Sequence, residues 1–142
     1  MALAWPVAYG LALALSASAF EETGRLVLLR TLRHRRPSLS IPVAYAFGHA
    51  GVEAMLVVGP AAVVAGDQAS SLVVVERLSA LAAHVGFSVL VYVTVMRGRP
   101  LPFLAALLLH ADIDALAIPM QLGVLSAVGG RDHRPPARQP SL

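Results

Sequence analysis

The sequence places histidines and acids at helical spacing inside long apolar runs. The stretch "FGHAGVEAMLVVGP" carries His49 and Glu53 four residues apart, and "HADID" carries His110 and Asp114 at the same spacing. Residues four apart share one face of a helix. Such pairs can take a proton from water or bind a metal ion. A charged side chain at the centre of a membrane helix costs about 2.5 to 3.5 kcal/mol, so these residues are candidates for a functional site.

Two further apolar runs carry groups of the same kind. "EETGR" contains Glu21, Glu22 and Arg25, and "HVGFS" contains His84 with Ser88 four residues later. Burial raises the pKa of a carboxyl group, and a nearby arginine lowers it again. Such opposed effects suit a general base. Taken alone, each motif also fits a structural role, namely an ion pair at a helix end or a hydrogen bond between helices.

The depth of these residues favours one shared site. At about 1.5 Å per residue, counting from the arginine-rich connections places one polar residue of each run about 12 to 20 Å from the same membrane face. The four residues are Glu22, His49, His84 and His110. Polar residues with separate structural roles are not expected to lie at the same depth in the membrane. We therefore expect the four helices to build a single internal site.

The composition predicts the elements that must position this site. Of the 142 residues, 57% are hydrophobic and 13% charged, with a mean hydropathy of +0.71. These values are typical of an integral membrane protein rather than a soluble domain. Since a bilayer needs about 20 apolar residues per helix, we predict an all-α, polytopic bundle of about four transmembrane helices. Residues 1–130 form this domain, with spans at 5–29, 41–66, 72–96 and 101–129, and residues 131–142 form a disordered basic tail.

Charge and cysteine content exclude some classes of function. The chain has no cysteine, so disulfides and thiolate metal sites are excluded, and a metal would depend on His, Glu and Asp. The arginines lie mostly in two connections, "RTLRHRRPSLS" and "RGRP", where they indicate cytoplasmic loops rather than nucleic-acid binding. This predicts an external N-terminus. The three arginines of the tail then lie on the outer side, against the positive-inside rule. Either the topology is weakly determined or a further helix is missing from this chain.

The ordered set of motifs resembles a known family. The order EE-x-x-R, G-H-x-x-x-E, E-R with H-x-x-x-S, and H-x-x-x-D, running from Phe20 to Asp114, is similar to that of the YhfC-type membrane peptidases. These are related to the type II CAAX prenyl endopeptidases, the Abi proteins and the PrsW proteases. The resemblance implies an intramembrane metallo- or glutamate-dependent peptidase. Members of the family are usually longer, with additional helices, so the chain resembles a truncated or minimal member.

The resemblance also implies roles for individual residues. Glu21 and Glu22 would be the catalytic pair, one activating water and the other orienting it. Arg25 would be the basic residue of the first motif. The site histidines would be His49 and His110, with Asp114 assisting His110. The residue chemistry leaves two roles open for the histidines. They could hold a metal such as zinc, with His49, His84, His110 and Glu53 as its candidate ligands, or they could donate hydrogen bonds to the oxyanion.

The sequence leaves three other interpretations open, one of which is a relative that folds but is inactive. The same acids and histidines could relay protons or bind a cation in a transporter or ion-conducting subunit. "LALALSASAF" also resembles a signal peptide, although no basic residue precedes Arg25. For the peptidase we expect location in a bacterial cytoplasmic membrane, a membrane protein or peptide as substrate, and no nucleic-acid partner. Its further partners would be the lipid bilayer and either additional helices or a second copy.

Overall fold

The described part of the chain is entirely helical. The computed structural model describes residues 4–33, 38–59, 71–116 and 118, and contains no strand among them. The helices are α1 (Ala4–Leu32), α2 (Ser40–Glu53) with a π-helical turn (Ala54–Val58), α3 (Ser71–Arg97) and α4 (Leu101–Leu116). The predicted all-α fold is thus confirmed. The later parts of the predicted spans 41–66 and 101–129, and the predicted tail 131–142, extend outside the described residues.

Local sequence explains where the helices begin and end. Proline in the first turn is compatible with a helix because its missing N–H has no partner there, and both Pro42 and Pro102 occupy such positions. α3 ends at Gly98, whose φ of 66° is a left-handed conformation that favours glycine. The Gly98 N–H donates to the Thr94 carbonyl at 2.8 Å. The three residues 98–100 then turn the chain into α4, so that α3 and α4 form a tight helical hairpin.

The helices pack so that α1 lies against α3 and α4, while α2 lies mainly against α3. At one end of the bundle an apolar cluster forms around Leu29, Phe87 and Val91. There the Tyr92 hydroxyl accepts a hydrogen bond from the Ser38 N–H at 3.0 Å, which ties the start of α2 to α3. This end holds the helices in register for the polar residues that lie farther along them.

The distribution of polarity is the reverse of that in a soluble protein. Large apolar side chains are exposed along the outside, whereas buried polar and charged side chains lie inside. The buried set is Ser18, Glu22, Arg25, His84, Ser88 and His110. A membrane protein is expected to have this arrangement, because lipid solvates apolar side chains and charged ones must pair inside. Among the described helices, the segment Val74–Arg97 is long and apolar enough to cross a membrane.

We expect Leu29→Ala to lower the free energy of unfolding by about 2 kcal/mol or more, because it leaves a cavity in the apolar cluster. Leu28 offers a matched control, since its side chain is 42% exposed, and Leu28→Ala should change stability by less than about 0.5 kcal/mol. Equilibrium unfolding of the purified chain in mixed micelles measures both. Equal effects of the two substitutions would contradict the packing of α1 described above.

Candidate functional site

One face of α1 carries the buried polar residues. Ser18, Glu22, Arg25 and Leu29 follow one another at steps of four, three and four residues, and all four side chains are fully buried. This spacing places them on a single stripe of the helix. Glu21 lies beside the stripe, and its side chain remains 32% exposed. The two neighbouring glutamates therefore have different surroundings, one closed and one open.

Arg25 connects two helices from inside this face. Its Nη1 pairs with Glu22 Oε1, one turn earlier on α1, and its Nη2 donates to Nδ1 of His84 on α3 at 3.1 Å. A guanidinium can only donate hydrogen bonds, so His84 Nδ1 must be the acceptor. The proton of the neutral ring then lies on Nε2. From there it is donated to Glu53 Oε2 at 3.0 Å.

Glu22 fixes the histidine of α4 in the same manner. Oε1 of Glu22 accepts a hydrogen bond from Nδ1 of His110 at 2.8 Å. In the neutral ring the other nitrogen, Nε2, then carries a lone pair. This atom lies 3.7 Å from Glu21 Oε2 and 3.8 Å from Asp114 Oδ2. A lone pair that faces two carboxylates is favourable only if a proton or a metal cation lies between them.

The exposed glutamate of α1 lies between two histidines. Oε2 of Glu21 accepts a hydrogen bond from His49 Nε2 at 3.0 Å, and the same oxygen is the one that faces His110 Nε2. Judged by distance alone, the atoms of Glu21, His49 and His84 that could bind a metal all lie within 4.8 Å of one another. Carboxylate oxygens and imidazole nitrogens are ligands that zinc binds in proteins.

Glu53 lies at the far side of the site, where α2 changes into the π-helical turn. Besides His84, it faces Arg77 of α3, with Glu53 Oε1 3.6 Å from Arg77 Nη1. Arg77 also pairs with the exposed Glu76. Glu53 thus shares an arginine with Glu76. π-Helical turns of this kind often occur at functional sites.

Aromatic rings hold the histidines in place. The Phe87 ring stacks on His110 at a centroid distance of 5.0 Å and 19°, and Tyr45 stacks on His49 at 5.7 Å. The Arg25 guanidinium lies over both aromatic rings, 5.7 Å from the Tyr45 centroid and 5.8 Å from that of Phe87. Such contacts add attraction between the cation and the ring faces.

These supporting residues are absent from the sequence-based set. Tyr45 precedes His49 by four residues, and Phe87 follows His84 by three, so helical spacing was the available signal. Arg77 could also have been found, because it directly follows an acid on the predicted third helix. Its contact with Glu53, however, depends on the relative rotation of α2 and α3.

The structure brings the sequence-predicted residues together, with differences in their contacts. Each of them contacts at least one other by a hydrogen bond or close ion pair: Glu21, Glu22, Arg25, His49, Glu53, His84, His110 and Asp114. Asp114 lies near Nε2 of His110, whereas Glu22 makes the hydrogen bond to this ring. Ser88 is buried without a hydrogen-bond partner among the described residues. Asp112 is exposed on another face of α4.

Comparison with known families agrees with the resemblance that the motifs indicate. The family described as YhfC intramembrane metalloprotease matches residues 1–66 and 62–129. The match covers every residue of the site described above. It confirms the family that was predicted from the sequence.

A relative supports the same grouping. The chain is 29% identical over 159 residues to a Bacillus subtilis (strain 168) protein described as "uncharacterized membrane protein YhfC", an alignment that covers 87% of this chain and 62% of the relative. The chain thus spans less than two thirds of the length of the relative that it matches. No solved structure matches this chain.

Arg25→Met should destabilise the protein by about 3 to 5 kcal/mol, because Glu22 would be left as a buried charge without its partner. The double variant Arg25→Met with Glu22→Gln should recover part of this loss, since neither charge then remains. Unfolding in mixed micelles measures the two variants side by side. A double variant no more stable than the single one would show that the ion pair is not what Arg25 contributes.

Proposed function

We propose, from the premise that this chain belongs to the YhfC intramembrane metalloprotease family, that it hydrolyses peptide bonds of membrane proteins at a divalent metal held between α1, α2 and α4. The observation that carries the proposal is the position of His110 Nε2, which faces the carboxylates of Glu21 and Asp114. The location that fits this activity is a multi-pass position in the bacterial cytoplasmic membrane. Both the relative's bacterial source and the apolar exterior support it.

The charges of the site fit a divalent cation. Glu53 shares Arg77 with the exposed Glu76 at the outer side of the site, so we count these three residues apart from the inner group. The remaining carboxylates are Glu21, Glu22 and Asp114, against the single guanidinium of Arg25. With neutral histidines this inner group carries a formal charge of −2. An uncompensated charge of this size is unfavourable inside a bilayer, and a divalent metal balances it.

The hydrogen bonds indicate which residues hold the metal. Distance alone favours Glu21, His49 and His84. Both ring nitrogens of His84, however, are already occupied, one by Arg25 and one by Glu53. If His84 bound a metal through Nε2, its proton would move to Nδ1 and face the Arg25 donor.

His110 has the arrangement expected of a ligand. Its Nδ1 donates to a carboxylate, as is usual for histidines that bind metals, and its Nε2 is directed at Glu21. We therefore assign the metal to Glu21, His49 and His110. Three protein ligands of nitrogen and oxygen with one open position are typical of catalytic zinc.

Asp114 is the carboxylate best placed to act as general base. Glu22 is fully buried in its pair with Arg25, and Glu53 is hydrogen-bonded to His84. The Asp114 side chain is 33% exposed, and within the described ranges it has no hydrogen-bond partner and lies 3.8 Å from His110 Nε2. It can take a proton from the attacking water and return it to the leaving amine. A bound metal would polarise the scissile carbonyl and make its water more acidic.

The other residues position this machinery. Glu22 holds His110 in the tautomer with Nε2 free, and Arg25 holds the Glu22 side chain next to that ring. His84 orients Arg25 and separates it from Glu53. Of the two glutamates that the family resemblance pairs, Glu22 thus has the orienting role, and Glu21 belongs to the open side where water arrives.

The contacts of Arg25 count against the rival function, proton conduction. A relay through the site would pass along Glu53, His84, Arg25, Glu22 and His110. Arginine stays protonated at any ordinary pH, so it cannot hand a proton on. This route is therefore interrupted at Arg25, whereas a second route through His49, Glu21 and His110 does not include it, and the liposome measurement given below tests that route.

We expect the full chain to bind one equivalent of Zn²⁺, and His49→Ala or His110→Ala to abolish that binding. His84→Gln should retain the stoichiometry with affinity lowered about 10- to 100-fold, as for a residue that supports the ligands rather than binding the metal. Calorimetric titration and elemental analysis of the purified protein measure both quantities. Loss of zinc in His84→Gln together with its retention in His110→Ala would replace our ligand set by the one that distance favours.

Asp114→Asn should lower the rate of cleavage of a quenched-fluorescent membrane-spanning reporter by about 100-fold or more. Its zinc content should not change, because Asp114 is outside the proposed ligand set. Asp112→Asn is the matched control, two residues away and exposed, and should cleave as the unmodified chain does. If the unmodified chain cleaves no reporter but moves protons into liposomes, the ion-conducting function replaces the peptidase.

A further inference from the structure

One charged residue of α4 is turned away from the site. Asp112 is two residues from both His110 and Asp114, which places it about 160° from each of them around the helix. Those two residues face α1, as does Ile118, which packs so closely on Gly10 that a Cβ there would lie 2.9 Å from Ile118 Cδ1. Asp112 therefore lies in the middle of the outward face of α4, where its side chain is exposed.

The depth of Asp112 places its carboxyl group inside the bilayer. Asp112 follows Arg99 by thirteen residues, which corresponds to about 20 Å along the helix axis. The hydrocarbon core of a bilayer is about 30 Å thick. A long arginine or lysine side chain can extend from such a position to the membrane interface, whereas the short aspartate side chain cannot. The carboxyl group of Asp112 therefore needs a partner at its own depth.

The other exposed charges of the described helices do not share this position. The exposed arginines lie at or next to helix ends: Arg30, Arg33, Arg97 and Arg99. The exposed Glu76 is paired with Arg77. Asp112 is exposed near the middle of the bilayer and, among the described residues, has no hydrogen-bond or ion-pair partner.

Polar groups elsewhere on the outside are satisfied by their own helices. The exposed hydroxyl groups of Ser16, Thr31 and Ser79 each donate to a backbone carbonyl four residues earlier, at 2.7, 3.0 and 2.8 Å. Such bonds allow a hydroxyl group to face lipid, because no polar atom of the side chain is then left without a partner. A carboxylate has no proton to donate to these carbonyls. The partner of Asp112 therefore has to come from another helix.

Leucines surround Asp112 on the outward face of α4. Leu104, Leu108, Asp112 and Leu116 follow one another at steps of four residues, and all three leucines are exposed. Residues at this spacing form a ridge that can pack into the groove of a neighbouring helix. A single polar residue in an apolar seam can fix the register in which two helices associate. The outward face thus has the pattern of a contact between two helices.

We propose that this face of α4 binds the same face of a second copy of the chain, with the two Asp112 carboxyl groups paired at a two-fold axis. Copies inserted in the same orientation carry each residue at the same depth, so a residue near the axis meets its own equivalent. A protonated carboxyl group has one O–H donor and can also accept, so two of them can satisfy each other by reciprocal hydrogen bonds. The exposed arginines of a second copy lie too close to the membrane face to reach Asp112.

This contact leaves the candidate functional site free. His110 and Asp114 lie on the opposite side of α4, so the two sites of a dimer would face away from each other. The dimer therefore does not depend on the proposed peptidase function, and either can fail without the other. Polar contacts of this kind hold transmembrane helices together inside lipid.

The strength of association tests the role of the carboxyl group. Energy transfer between labelled copies of the full chain, measured in liposomes over a range of lipid-to-protein ratios, gives the dissociation constant of the dimer. Asp112→Leu should raise this constant about 5- to 30-fold, because the hydrogen bonds between the helices are lost. Asp112→Asn should stay within about threefold, because an amide also donates and accepts. Circular dichroism of the three proteins should be the same, which shows that each has folded.

Cross-linking locates the contact on the surface. The chain has no cysteine, so Leu108→Cys places a single thiol in the proposed contact, one turn before Asp112. Thr23→Cys is the control, at a similar depth on the exposed side of α1. Oxidation in liposomes should link Leu108→Cys at least about tenfold faster than Thr23→Cys, because association raises the effective concentration of the thiols.

Several results would overturn the dimer. These are equal cross-linking at the two positions, association of Asp112→Leu as tight as that of the unmodified chain, and a chain that stays monomeric at every lipid ratio. A different membrane protein that copurifies with the unmodified chain and is lost in Asp112→Leu would also overturn it, since another partner then occupies this face.

Discussion

The site depends on the buried ion pair between Arg25 and Glu22. Removing one partner of such a pair inside an apolar bundle leaves a charge that costs several kcal/mol. Here the two charges are not isolated, because Glu22 also holds His110 and Arg25 also holds His84. This ion pair on α1 thereby sets the tautomers of His84 on α3 and of His110 on α4. The hydrogen bond from His84 to Glu53 and the lone pair on Nε2 of His110 follow from those two tautomers.

Much of this architecture could be predicted from the sequence. Matching depth on four apolar runs predicted that Glu22, His49, His84 and His110 would converge, and in the structure their rings and carboxylates are neighbours. Depth follows from residue counting, which the helical rise fixes. The resemblance of the motifs to the YhfC family followed from the same residues.

The orientation of each side chain could not be predicted in this way. Glu21 and Glu22 are adjacent, so they differ by about 100° around the helix, and counting does not say which one faces inward. The partner of His110 is another example. The spacing of four residues favoured Asp114, but His110 donates its hydrogen bond to Glu22, a residue of α1 that is 88 positions away in the chain. Such contacts depend on how each helix is rotated about its axis. A helix that is apolar around its whole circumference does not reveal which face turns inward.

The order of the helices has a consequence for how the protein matures. α1 leaves the ribosome before the other described helices and carries buried charges, while His110 and Asp114 belong to α4, the last helix among the described residues. A nascent chain therefore has no complete constellation until α4 has docked on α1. The close contact between Gly10 and Ile118 lies on that same docking surface. Docking of α4 is thus the step that completes the cluster of acids and histidines, so that a half-inserted chain would lack the proposed site.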